Sequence, residues 1–155
     1  MGRRRATTLP RAVDLTSTER IRLSVPAATS AVRIARAGAA GLATRAGFTY
    51  HEVEQIQLAV GEAAAVLAPD PSGGGTLVVT FDVEPDGLVV ELEVVDPGAA
   101  RPVTAGAATR ADGAGEVPEI ASAVLDAAVD EWRVEAGGLR IVLCKALGEA
   151  DLDDE

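Results

Sequence analysis

Few side chains in this sequence have types and settings that suit chemistry. Glu62 lies in Gln57-Leu58-Ala59-Val60-Gly61-Glu62-Ala63, a stretch of helical apolar spacing. A glutamate on a helix works as a general base when it points into a cleft. When it points to solvent it is an ordinary helix residue, the commoner case. Val66 lies one turn later on the same side. Asp96-Pro97-Gly98 follows an alternating apolar run and precedes a long aperiodic stretch. An aspartate there accepts a hydrogen bond from a ligand amine, or it starts a turn, the more frequent use of Asp-Pro-Gly. Gly73-Gly74-Gly75 and Gly113-Ala114-Gly115 lack the Lys and Ser/Thr of a phosphate loop and open no dinucleotide-binding unit. They read as connectors. His51 is the single histidine, which excludes a His-pair metal site and weakens any Ser-His-Asp triad. Cys144 is the single cysteine, so there is neither an internal disulfide nor a Cys-rich zinc site. Its alternating neighbours make it a small packed residue.

The elements that must hold these residues can be read from apolar periodicity. Ile21, Leu23 and Val25 alternate with Arg20, Arg22 and Ser24, which predicts a half-buried strand ended by Pro26. From Ala27 the period becomes helical, with Val32, Ala35, Ala39, Leu42, Ala43 and Ala46 on one face and Gly47 as the stop. Thr49 and Glu52 have the spacing of a capping box. The helix they begin carries Val53, Ile56, Val60, Ala63 and Leu67 inward, and Pro69, Pro71 and the glycine run stop it. Thr76 to Val83 and Leu88 to Val95 form a hairpin around Pro85-Asp86-Gly87. Leu88, Val90, Leu92 and Val94 lie on one face, with Glu91 and Glu93 on the other. Residues 97–116 have no period and read as a long loop. Val117 to Ala128 reads as a helix with Ile120, Val124 and Ala128 inward. Trp132 to Glu135 and Leu139 to Lys145 read as strands around Gly137-Gly138. The order β-α-α-β-β-loop-α-β-β predicts an α+β two-layer sandwich, a mixed, mainly antiparallel sheet covered on one face by about three helices.

Composition sets outer limits. The chain has 155 residues, which suits a single domain. Its expected divisions are a flexible basic arm over 1–19, a folded domain over 20–147 and an acidic tail over 148–155. Hydrophobic residues make up 48% and aromatics 3%, so the core must be built from Ala, Val, Leu and Ile. Lys and Arg number 14 against 24 Asp and Glu, a formal charge of −10. That balance argues against direct nucleic-acid binding, because no cationic excess is available to displace phosphate counterions. The apolar runs are too interrupted to span a membrane. Met1-Gly2-Arg3-Arg4-Arg5 has the basic flank of a signal peptide but no apolar segment after it. The expectation is a cytoplasmic protein.

Several strings, in order, resemble the RsbW-type anti-sigma factors, the serine-kinase branch of the GHKL (histidine-kinase-like) ATPases. Ile21-Arg22-Leu23-Ser24-Val25-Pro26-Ala27 is similar to that family's opening strand and proline. Gln57-Leu58-Ala59-Val60-Gly61-Glu62-Ala63 resembles its hydrophobic-Ala-Val-Ser-Glu-Ala helix. Val94-Val95-Asp96-Pro97-Gly98 resembles its Asp-x-Gly box. Val129-Asp130-Glu131-Trp132 resembles the close of its third helix. Gly138-Leu139-Arg140-Ile141-Val142-Leu143-Cys144-Lys145 resembles its last strand. The resemblance covers about residues 20–147 and implies the histidine-kinase-like ATPase fold.

The same resemblance implies a general base at Glu62 and an adenine box at Asp96 and Gly98. It also exposes departures. The asparagine that holds magnesium in active members is matched here by Val66, which has no oxygen for a hard cation. The following histidine is matched by Pro69. Ala100, Glu119 and Ala121 stand where phosphate-approaching glycines are expected. The implied protein is therefore a regulator with a degenerate nucleotide site and a vestigial Glu62, needing no cofactor and binding ATP or ADP weakly at most. Its implied partners are an alternative sigma factor and a STAS-domain anti-anti-sigma protein, with a homodimer as the working form. Arg33 and Arg36 on the first helix match the partner-binding region, and each is equally readable as a snorkelling surface arginine. Two other readings stay open: an active Mg-ATP-dependent serine kinase acting on a STAS antagonist, and an orphan nucleotide-sensing interaction domain.

Overall fold

The computed structural model describes residues 18–68, 74–95, 117–135, 137 and 140–148. Residues 1–17 of the expected arm 1–19 and 149–155 of the expected tail 148–155, the loop 97–116, Pro69, Ala100, Asp96 and Gly98 lie outside them, while Glu19 of the expected arm already belongs to the first strand. The elements are β1 (Glu19–Pro26), α1 (Ala31–Ala46), α2 (Tyr50–Leu67), β2 (Thr76–Glu84), β3 (Gly87–Val95), α3 (Glu119–Ala128), β4 (Glu131–Glu135) and β5 (Arg140–Ala146). The five strands form one sheet in the order β1-β2-β3-β5-β4. Every pairing in it is antiparallel, so the parallel component expected from the sequence does not occur among the described strands.

The register explains the two layers. Leu23, Val79, Leu92, Ile141 and Val134 lie in one cross-strand row, and Ile21, Phe81, Val90, Leu143 and Trp132 in the next. Period-two alternation puts both rows on the helix-covered face. There they pack with Ala35, Ala39 and Ala43 of α1 and Ile56, Val60 and Ala63 of α2. The opposite face carries Arg20, Asp82, Glu91, Glu93, Arg133 and Arg140. Asp82 is buried there because Arg20 lies along it, donating from Nε and Nη2 at 2.6 and 2.9 Å.

Local chemistry accounts for most boundaries. Helix α1 begins at Ala31 rather than Ala27, because the chain must turn before it can coil. The Ala27 N–H still bonds Gly75 across the sheet at 3.1 Å, and a turn follows in which Ala31 N–H bonds Ala28 carbonyl. Gly47 closes α1 at φ 96°, in the left-handed region that glycine tolerates. The capping box forms: Thr49 N–H donates to Glu52 Oε2 at 2.8 Å, and Glu52 N–H donates to Thr49 Oγ1 at 3.3 Å. Helix α3 begins at Glu119, since Pro118 holds Val117 out of helical conformation.

The inward face of α3 differs from the sequence expectation. Ile120 is 81% exposed, and Ala121, Leu125 and Ala128 are the buried residues. The helix turns Ala121, Leu125 and Ala128 inward and packs against its neighbour α2. Helix α2 likewise buries Ala59, Gly61 and Ala64 beyond its expected stripe. It lies between α1 and α3 as well as over the sheet, so more than one face is covered.

Two outcomes follow. A Cβ at Gly87 would lie 2.6 Å from the Lys145 carbonyl oxygen, a backbone atom with no room to retreat. Gly87→Ala should cost roughly 1–3 kcal/mol in urea unfolding; an unchanged midpoint would show that β3 and β5 separate freely there. The Glu52 carboxylate is held below the usual range, first by the Thr49 backbone N–H and also by Lys145. A lowered folded value means that its contribution is complete at neutral pH and is lost as pH falls below about 4.3. Glu52→Gln should therefore flatten the acid limb of stability against pH, and an unaltered limb would refute the assignment.

Candidate functional site

Helix α2 carries the candidate base. Glu62 is half-buried, and no hydrogen bond or ion pair is formed by its carboxylate among the described residues. Val66, one turn on, is half-buried and packs against the hydrophobic core. A side chain turned into the core and made only of carbon cannot coordinate magnesium. The residues present do not fit a metal-nucleotide centre of the usual kind at this turn. Among the described residues no group of three or more His, Cys, Asp or Glu is placed to hold a metal ion. Asp96 and Gly98, the candidate adenine contacts, are not among the residues described.

The neighbouring helix brings a cation to the same place. Arg33 and Arg36 are exposed on α1, three residues apart and so on adjoining positions of one side. The stem of Arg36 lies against α2 at Gly61. A Cβ there would stand 2.9 Å from Arg36 Cδ and 3.2 Å from Cγ. Glycine at 61 therefore seats the arginine beside the turn that bears Glu62. Arg36 and Glu62 make no ion pair. Sequence reasoning had both the arginine and the glycine but not their contact, which depends on how α1 crosses α2. Ile34 and Leu58 are large apolar residues left exposed on these two helices.

The remaining candidates fall elsewhere. His51 is exposed at the first turn of α2. Cys144 is half-buried on the open sheet face, and burial pushes its thiol pKa up, which disfavours the thiolate. Lys145 donates to Gln55 Oε1 at 3.2 Å and roofs a small apolar pocket lined by Ile56, Val60, Leu88, Val90 and Leu143. No second polar group converges there, so it is a gap in packing. A polar groove not anticipated from sequence lies between the end of α3 and β4, where Trp132 Nε1 donates to Asp126 Oδ1 at 2.7 Å. Asp130 at its margin accepts from Ala146 N–H at 2.6 Å, which fixes the α3–β4 junction to the end of β5.

Comparison with known proteins adds a relationship in sequence. The chain is 36% identical over 81 residues to the serine-protein kinase RsbW of Halalkalibacterium halodurans, covering 52% of this chain and 49% of that protein. It is 36% identical over 86 residues to the serine-protein kinase RsbW of Bacillus velezensis, covering 54% and 52% respectively. The match thus spans about half the length of these relatives. No family model matches.

The packing of Val66 generates a direct expectation. Val66→Asn sets an amide against the core edge and should lower stability by roughly 0.5–2 kcal/mol. Glu62→Gln, with no partner to lose among the described residues, should stay within about 0.5 kcal/mol. A neutral Val66→Asn would show that the position is not part of the core.

Proposed function

From its similarity to RsbW serine-protein kinases over about half its length, we propose that the chain is an RsbW-type anti-sigma factor of the GHKL ATPases, a regulatory binding protein without efficient kinase activity. It binds an alternative sigma factor, a STAS-domain anti-anti-sigma protein or both, in the cytoplasm and as a pair of identical chains. The reading is carried by Val66. Phosphoryl transfer depends on positioning and on metal neutralisation of charge, and a core-packed valine at the metal-binding turn supplies neither. What the fold keeps is a rigid helical surface. Arg33 and Arg36 stand on it, with Arg36 anchored over Gly61. An anchored cation on an exposed helical surface suits recognition of another protein.

The kinase activity in the names of the two relatives is the second reading, favoured by the retained Glu62. In that case Glu62 would receive the proton of a partner serine hydroxyl. Binding of ATP or ADP without transfer, as in an orphan sensor, is the third.

Two measurements separate them. Calorimetric titration with ATP should show no magnesium-dependent binding, and labelled ATP should leave a STAS partner unmodified. Transfer that disappears in Glu62→Ala would establish the kinase instead. Capture of a sigma factor or STAS protein by the full chain is expected, with Arg36→Glu weakening it roughly tenfold. Capture of neither class would overturn the regulatory reading, and ATP binding in that event would favour the sensor.

A further inference from the structure

The groove between the end of α3 and β4 has a volume of about 410 Å³ and gathers charge of one sign. Asp126, Asp130 and Glu131 line it together with Val129, Trp132 and Arg133. The three acids are exposed, and none of them makes an ion pair among the described residues. Arg133, the cation of the lining, is engaged by Glu135, with Nε 2.5 Å from Oε1. Each aspartate uses one oxygen to hold itself in place. Asp126 Oδ1 accepts from the Trp132 indole at 2.7 Å, and Asp130 Oδ2 accepts from the Ala146 N–H at 2.6 Å. Their second oxygens have no partner among the described residues. The indole, tethered by its N–H, is fixed among these carboxylates. An aromatic ring beside acids suits a guanidinium, which pairs through its edge and stacks through its plane.

The sequence supplies such groups at a matching distance. Its densest run of cations is Arg3-Arg4-Arg5, which lies outside the described residues. The described chain enters the sheet at the groove's own end. Glu19 pairs with Val83, Val83 with Leu88 and Leu88 with Lys145. Glu131 is opposite Cys144, one position along. The start of β1 and the groove therefore share one end of the sheet, at its opposite edges. Four strand spacings of about 4.8 Å separate them by about 19 Å. Arg5 stands 14 residues before Glu19. A chain of that length reaches at most about 50 Å, and without fixed structure its root-mean-square span is about 20 Å. Effective concentration is greatest where that span matches the distance to be bridged.

We propose that Arg3, Arg4 and Arg5 dock in the α3–β4 groove of their own chain, pairing with Asp126, Asp130 and Glu131 and stacking on Trp132. Charge complementarity selects the occupant, and the length of the connecting segment makes the contact accessible within one molecule. The inference goes beyond the proposed function and does not depend on the reading of Val66. With the groove filled in this way, a basic segment of another protein reaches these acids only by displacing the arginines.

The single tryptophan supplies the reporter, one indole N–H resonance sited in the groove. A nitroxide on Gly2→Cys, in a Cys144→Ser background of the full chain, should broaden that resonance at low ionic strength. The broadening should fall at least roughly threefold when Arg3, Arg4 and Arg5 are all changed to Ser, because three exposed ion pairs of small individual strength are lost together. It should fall likewise in about 1 M salt, where the screening length is about 3 Å. Asp126→Asn with Glu131→Gln keeps an oxygen for the indole N–H while removing two charges, and it should have a similar effect. Glu62→Gln with Glu119→Gln removes the same charge away from the groove and should leave the broadening unchanged.

Equal broadening in all these variants would overturn the proposal, since the arginines would then visit the groove without binding it. Broadening that survives the groove variant but is lost on neutralising Asp151, Asp153, Asp154 and Glu155 would put the arginines on the acidic tail and overturn it too. An indole resonance indifferent to the arginine variants yet shifted by added triarginine would assign the groove to cations of another molecule, against docking within the chain.

Discussion

Helix α2 and what lies against it constrain the rest of the molecule. It touches α1 on one side, α3 on another and the sheet beneath, so its buried residues must be small wherever a neighbour passes. Ala59, Gly61, Ala63 and Ala64 meet that demand, and α1 answers with Ala35, Ala39 and Ala43. Interhelical distance depends on the side chains at the contact, and alanine keeps it short. The larger volumes are left to the sheet. Phe81 reaches up to α1 at Gly38, where a Cβ would stand 3.7 Å from the ring. A core with few aromatics thus stays close-packed by lowering helices of small residues onto a sheet of larger ones.

The same economy governs the uncovered face of the sheet. Val78, Val142 and Asp82 are buried on a side where no helix lies among the described residues. Long charged side chains cover them: Arg20 binds Asp82, and Arg140 bridges Glu93 at 3.1 Å and Glu135 at 3.7 Å. Exposed pairs of this type add little stability. Their effect is geometric, because aliphatic stems pinned by their charged ends shield the valines beneath. Arg140 remains short of partners, since its Nε is buried and makes no hydrogen bond. The strongly acidic composition therefore leaves this face with both signs of charge interleaved.

Most of this architecture was legible because period and punctuation agree. Alternation gave the hairpin of β2 and β3 with its inward row of Leu88, Val90, Leu92 and Val94, and Thr49 with Glu52 gave the start of α2. The inward face of α3 was misjudged in phase: spacing chose Ile120, Val124 and Ala128, and the helix buries Ala121, Leu125 and Ala128. Ile120 is large and faces solvent, while Ala121 is small and faces α2, because α3 lies close to its neighbour. Gly61 also escaped notice. In sequence it is a weak helix former; in space it is the seat of Arg36. The all-antiparallel sheet was beyond periodicity, since strand direction depends on which strands become neighbours. For the candidate site, Glu62 and Val66 were correctly placed on one side of a helix. Their surroundings were not legible, because they come from elements distant in the chain.

The position of Val66 shows how a polar site and core packing would compete for one turn of a helix. A metal-binding side chain at the core's margin must leave the apolar cluster and face an opening, and the polar group then has to be satisfied there. Valine resolves that conflict by joining the cluster. On the proposed reading, the fold gains packing at the point where nucleotide chemistry would need an oxygen. Gly61 acts in the same sense one turn earlier, since a side chain there would lift Arg36 away from the helix. Both residues favour a surface that is fixed over a cleft that must open. A fixed surface loses less conformational freedom when another protein binds it, so changes that impair a kinase at this turn are compatible with a better docking platform.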